Sequence, residues 1–359
     1  MNATFSKRRK SLIVTAVAVA ATGGVAAAVI PAFAAGGARA DHAGHAGGDA
    51  QGIVSRSGTA AGTGGTVLAA SLRGANEVPV AGGPAVGDKD GAAVQFVKVK
   101  GDKVSVAVAW RGTGKPTALH IHQGAKGTNG GIKVDFGGLI GKEKGFGKEK
   151  GFGKEKGFGK KKGNGTSKGH SLTGTVTVKD RVLLNALKTE PSSFYANLHT
   201  AEFPGGAVRG QLRKVTVAKF DFRDALDNFQ ASVIKGKQIY ECKPADGGGY
   251  AFAQRDVSAV LGGRIAHSFV APNSGTPQWI ARDGSAVTGA VISKTPNGER
   301  NIPELDLKAT RSGKHRGLVA DTAEILRLNT VGGVAPAGSC TAGAIVGVPY
   351  QADYVFING

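Results

Sequence analysis

Cysteine is nearly absent, with two residues, Cys242 and Cys340, in a chain of 359. In an exported protein, two cysteines leave one simple reading, a single Cys242–Cys340 bridge. It would close a loop of about a hundred residues and contribute roughly 4–5 kcal/mol on the chain-entropy account. The signatures of conventional catalysis are missing as well. There is no G-x-S-x-G elbow, no Cys–His pairing and no H-E-x-x-H helix, which argues against a conventional hydrolase. The "GTGGT" at 62–66 is followed by neither Gly-Lys-Ser/Thr nor a helix, so it reads as linker rather than phosphate loop. Acidic residues are scarce, 26 against 46 Lys and Arg, for a net charge of +20.

That charge is unevenly placed. Residues 66–217 carry +14 and residues 218–359 only +2. The first residues set the compartment: "KRRK" at 7–10 precedes an apolar stretch that ends in Ala-Phe-Ala. This pattern predicts a signal peptide, 1–34, cleaved after Ala34. Gly23, Gly24 and Pro31 weaken a membrane-span reading. Arg8-Arg9 leaves both the general secretory and the twin-arginine routes open. The mature chain is then secreted and not an integral membrane protein. Its partners would be anionic cell-wall polymer or glycan, and export excludes intracellular nucleic acid. Residues 35–65 are Gly- and Ala-rich with almost no bulky side chain, and predict a flexible tether in which His42 and His45 are solvated.

From Val67 the texture changes to short β-rich words separated by Gly, Pro, Asp and Lys. In "KVSVAVAW", Val104, Val106, Val108 and Trp110 share one face while Ser105, Ala107 and Ala109 share the other. "DRVLLNALKTEP" predicts one helix, with Asp180 as cap and Pro191 as stop. The expected fold is all-β with two domains: an antiparallel β-sandwich over 66–217, then a second β-rich, disulfide-closed domain over 218–359. Residues 141–165 repeat Gly-Lys-Glu-Lys-Gly-Phe three times and then decay, with nine lysines against three glutamates. A period of six fits neither helix nor strand burial. The run reads as a disordered loop insertion or as a cationic arm for anionic polymer.

"SLRGANEVP", "TALHIHQGAKGTNGGIKVDF" and "YANLHTAEFPGGAVRGQL" occur in that order over 68–213. They resemble the chordin-type (CHRD) domain, which implies an extracellular β-sandwich-like module without a defined activity. The chain departs from that pattern in the lysine-rich insertion between "VDFGG" and "GTVTV". Over 230–356, "YEC", "WIARDGSAVTG" and "NTVGGVAP…C…YQADYVF" resemble a secreted domain-of-unknown-function family (number 3455), with "ELDL" after Ile-Pro where that family tends to be apolar. This second resemblance implies no activity.

The sharpest chemical signal is "HIH". Residues two apart on a strand point to one face, so His120 and His122 can converge on one ion. His199 in "YANLHT" would supply a third imidazole, with Glu77 or Glu202 as a carboxylate nearby. Three neutral imidazoles suit copper or zinc. The same residues also read as a hydrogen-bonded polar cluster within the sandwich. His170, His267, Trp279 and Asp283 read as surface, packing and turn residues. Two functions follow: a secreted cell-surface binding or structural protein without conventional catalysis, attaching to anionic polymer through its basic insertion, or a metal-binding, redox-active domain built on the three histidines.

Overall fold

The computed structural model describes residues 64–141, 144–145 and 170–359. The signal segment, nearly all of the linker and most of the lysine-rich insertion lie outside the described residues. The fold is nearly all β.

The first body is one antiparallel sheet of β1 (Thr66–Arg73), β2 (Ala92–Lys100), β3 (Lys103–Arg111), β4 (Pro116–Gln123), β5 (Ile132–Asp135), β6 (Lys144–Gly145), β7 (His170–Thr177), β8 (Phe194–Thr200), β9 (Val208–Gln211) and β10 (Arg213–Lys214). Their order is β5-β4-β8-β9-β1-β2-β3-β7-β6, with β10 also beside β1. Leu119, Ile121, Ala196 and Leu198 from one half share a core with Leu68, Val97, Val106 and Val108 from the other. The two faces of the sandwich are therefore halves of a single coiled sheet, which is how right-handed strand twist accumulates over many strands. One helix, α1 (Arg181–Thr189), closes this core with Leu183, Leu184 and Leu187. Asp180 caps it, its side chain accepting from Leu183 N at 3.0 Å.

The second body is a closed meander barrel of β11 (Phe229–Pro244), β12 (Tyr250–Leu261), β13 (Ile265–Phe269), β14 (Pro277–Ala281), β15 (Ala286–Thr295), β16 (Glu304–Arg311), β17 (Thr322–Gly332) and β18 (Ile345–Asn358), with β18 returning to pair β11. Closure removes the exposed edges that an open sheet would leave. Its interior packs Trp279, Tyr354, Phe229 and Phe356, and fully buried His267 stacks on Trp279 at 4.5 Å. Burial pushes the His267 imidazole down to about 3. Asp283 is a turn residue, accepting from Ser285 N and Leu318 N. Cys242 and Cys340 are bridged, with Cα atoms 5.9 Å apart.

The described residues from 64 onward lie in one compact unit. A third apolar cluster shows why: Val67, Ala69, Val94, Phe96, Ala107 and Ala109 of the sheet pack against Leu326, Leu328, Val355 and Ile357 of the barrel. Ala107 and Ala109 on the second face of "KVSVAVAW" are thus buried under the barrel. Beside this cluster Asp353 of the barrel is buried. It takes Arg73 Nη2 at 2.5 Å on Oδ1 and Arg73 Nε at 3.0 Å on Oδ2, with further donors in Ser71, Ser232 and Asn329.

A second acidic contact lies where the chain passes from sheet to barrel. Glu324 accepts from Thr216 N at 2.7 Å and Val217 N at 2.6 Å and lies close enough to Asp306 on the neighbouring strand to feel its charge. Burial raises both carboxyls, Asp306 to about 6 and Glu324 to about 7, and Asp306's charge adds to the Glu324 shift. A raised acid contributes stability at low pH and loses it as pH climbs through the folded value. Asp306→Asn should therefore gain on the wild type between pH 5 and pH 8, by about 1 kcal/mol once partial solvent exposure is allowed for. Urea titrations at both pH values measure this, and a difference that does not change with pH would contradict it.

Candidate metal centre

Strand alternation puts His120 and His122 of β4 on the sheet face opposite the apolar core, while Leu119 and Ile121 point into that core. On β8 the same alternation buries Phe194, Ala196 and Leu198 and turns Tyr195, Asn197 and His199 toward the histidines. The register completes the arrangement: His120 stands opposite Asn197, His122 opposite Tyr195, and His199 two pairs further along opposite Ala118. Each imidazole offers one nitrogen to a common space, with all three within 4.8 Å of one another.

The other nitrogens are already committed. His122 Nδ1 is 3.0 Å from Gly130 O and His199 Nδ1 is 3.0 Å from Pro204 O. A carbonyl only accepts, so both Nδ1 atoms carry the proton and both Nε2 atoms present lone pairs. His122 Nε2 is buried and has no hydrogen-bond partner. His120 Nε2 lies 3.5 Å from Asp135 Oδ1, while its Nδ1 lies 3.3 Å from His199 Nε2. A neutral His120 has one proton for these two acceptors. Given to Asp135, it leaves lone pair facing lone pair across 3.3 Å. Given to His199, it leaves a lone pair facing a carboxylate. A second proton would settle the conflict, but burial and the neighbouring His199 hold His120 down to about 4 despite Asp135. Burial also lowers His122 and His199.

A metal cation would meet this need directly. Tetrahedral bonds of about 2.0–2.1 Å place ligand nitrogens roughly 3.3 Å apart, close to the separation already present between His120 Nδ1 and His199 Nε2. Three imidazoles, each held from behind by a carbonyl or carboxylate, form the kind of supported ligand set that fixes tautomer and ring direction. The donor set is of the kind that would suit copper or zinc. Copper would supply redox chemistry there and zinc Lewis acidity.

Behind the imidazoles the loop 124–131 is tightly fixed. Tyr195 stacks on His122 at 4.9 Å, and its hydroxyl accepts from Gly130 N at 3.2 Å. Arg209 lies 3.4 Å from the Tyr195 ring centroid and donates to Asn129 Oδ1, Ala125 O and Thr128 O. Gly130 has no room for a side chain, since a Cβ would lie 1.5 Å from Gln123 O. Lys126 reaches from the same loop to Glu304 of the barrel at 2.9 Å.

Of the carboxylates read from the sequence, Glu77 accepts from Asn197 Nδ2 at 3.4 Å and thus stands behind Asn197 rather than among the ligand nitrogens. Burial pushes it up to about 8, against the pull of Arg209 and Asn197. Glu202 is exposed. Asp135 and Arg209 were not legible as site residues; Asp135 arrives because β5 pairs with β4 in a register that sets it opposite His120. His170 is exposed and stacks on Trp110, His267 is in the barrel core, and His42 and His45 lie outside the described residues.

A family model described as the CHRD domain matches residues 68–212, and one described as Protein of unknown function (DUF3455) matches residues 261–358. No curated protein and no solved structure matches the chain. The disulfide and the CHRD domain are consistent with an extracellular protein, and among the described residues no helix is long and apolar enough to cross a membrane. The chain carries a CHRD domain, which contains the three-histidine cluster, followed by a DUF3455 region that makes up most of the barrel.

Proposed function

We propose that this is a secreted, non-catalytic binding protein whose CHRD domain holds one copper or zinc ion on His120 Nδ1, His122 Nε2 and His199 Nε2. The observation that carries this reading is the unresolved proton count. Three lone-pair nitrogens converge, one buried without a partner, and no neutral tautomer of His120 satisfies both of its neighbours. Asp135, Gly130 and Pro204 orient the rings, and the Tyr195–Arg209 stack holds the loop that carries Gly130. Export with cleavage after Ala34 belongs to the same proposal, supported by the charged and apolar segments of 1–34 and by the disulfide.

Metal that binds only the folded chain raises its stability, by about 2.7 kcal/mol at a hundredfold excess over Kd. Copper or zinc should therefore raise the melting temperature of the metal-free protein, and His122→Ala should abolish the rise. Asp135→Ala should leave metal-free melting nearly unchanged but weaken affinity about 10–100-fold, the usual effect of removing a group that orients a ligand. Equal melting curves with and without metal would contradict the proposal.

A further inference from the structure

The sheet face that the barrel covers changes character where the cover ends. Along β2 the outward residues run Val94, Phe96, Lys98, Lys100, and along β3 they run Ala109, Ala107, Ser105, Lys103. The apolar members pack against the barrel; the rest line an open groove of about 750 Å³. Lys100 stands opposite Lys103, and Lys98 opposite Ser105. On the next strand Thr175 stands opposite Ser105, their hydroxyls 2.8 Å apart. The short turn Phe222–Asp227 forms the wall, placing Phe222 in the groove.

The charges in this groove are not balanced. Arg223 and Asp221 satisfy one another, with Nη2 2.5 Å from Oδ2 and Nε 3.0 Å from the same oxygen. Lys103 donates to Thr177 at 2.6 Å and has Asp102 at 3.7 Å. Lys98 and Lys100 add two further ammonium groups, carried by residues spaced about 6.6–6.8 Å along one strand's backbone. A flat face with spaced ammonium groups, a row of hydroxyls and one aromatic wall offers charge contacts, hydrogen bonds and a ring surface to an extended chain of sugars bearing carboxylates.

We infer that the groove over β2, β3 and β7 is a binding site for a linear acidic polysaccharide. It is separate from the three-histidine cluster and does not depend on the metal reading. It also differs from attachment through the 141–165 insertion, because its cationic side chains belong to the folded sheet. Lys98, Lys100 and Lys103 hold the carboxylates, Ser105 and Thr175 hydrogen-bond ring hydroxyls, and Phe222 covers a sugar face. Binding is screened by salt, as expected for exposed charges.

The test uses the full secreted chain with polygalacturonate as probe, neutral dextran as control and inorganic polyphosphate as the alternative polyanion. Polygalacturonate should bind at low salt and weaken steadily as salt is added, with dextran inactive. Lys98→Ser/Lys100→Ser/Lys103→Ser should lose at least tenfold in affinity, while a chain lacking residues 146–168 should keep measurable binding that the same three substitutions remove. Unchanged circular dichroism and melting would show that the triple variant is folded; should it melt early, Lys100→Ser alone replaces it, with a smaller loss expected. Wild-type affinity in the folded variant would overturn the inference. So would loss of all binding on deleting the insertion alone, or a preference for polyphosphate over polygalacturonate.

Discussion

Asp353→Ala is expected to lower the stability of the protein by about 3–5 kcal/mol, because it strands a partly buried guanidinium. Burial alone would push the Asp353 carboxyl up, but Arg73, Asn329 and Ser232 outweigh it and hold it below the ordinary range. The carboxylate joins the two bodies: Ser71 and Arg73 come from the sheet, Ser232 and Asn329 from the barrel. Asn329 takes a positive φ of 53°, a backbone conformation that Asn adopts more readily than most residues. From there its Nδ2 reaches Ser71 Oγ at 3.0 Å and Asp353 Oδ2 at 2.8 Å. Asp353→Asn keeps one acceptor and should cost less than alanine. Denaturant midpoints of the two variants measure the difference. Equal, small losses would show that the Asp353 carboxylate contributes little to joining sheet and barrel.

The second large effect belongs to the disulfide. Replacing both Cys242 and Cys340 by alanine releases a loop closed over a sequence separation of 98, and the chain-entropy account assigns such a loop about 4–5 kcal/mol. The bridge lies at the seam where the barrel closes. Cys242 N donates to Ala344 O at 2.8 Å, Gly343 N donates to Cys242 O at 2.9 Å, and β18 begins directly afterwards against β11. The double variant should unfold at much lower denaturant while the folded fraction keeps its metal stoichiometry, since the histidines sit on the other body. A loss of metal binding in the folded double variant would tie the cluster to the seam, which the geometry does not support.

Much of this architecture could be read from local pattern. "KVSVAVAW" has a strict period of two and forms β3; Asp180 and Pro191 bracket α1; "HIH" puts His120 and His122 on one face by strand alternation, and the β4–β8 register brings His199 of "YANLHT" to them. What escaped depends on contacts distant in sequence. Ala107 and Ala109 resemble the open face of a sandwich strand, yet their small size lets the barrel approach closely. Barrel closure joins β11 to β18 across more than a hundred residues, with no signal in either strand. β11 also runs through "KGK" at 235–237, which reads as a turn but is carried within the strand past a register shift. Asp135 sits in a four-residue strand, and a register shift between Ile121 and His122 sets which residue it meets.

The central claim is that three imidazoles hold one metal ion. Elemental analysis of the secreted, untagged protein beside a His120→Ala/His122→Ala/His199→Ala variant tests it most directly. The account predicts close to one equivalent of copper or zinc in the wild type and none in the variant. A wild type that holds no metal even after reconstitution would contradict it and leave the three histidines as a hydrogen-bonded structural cluster.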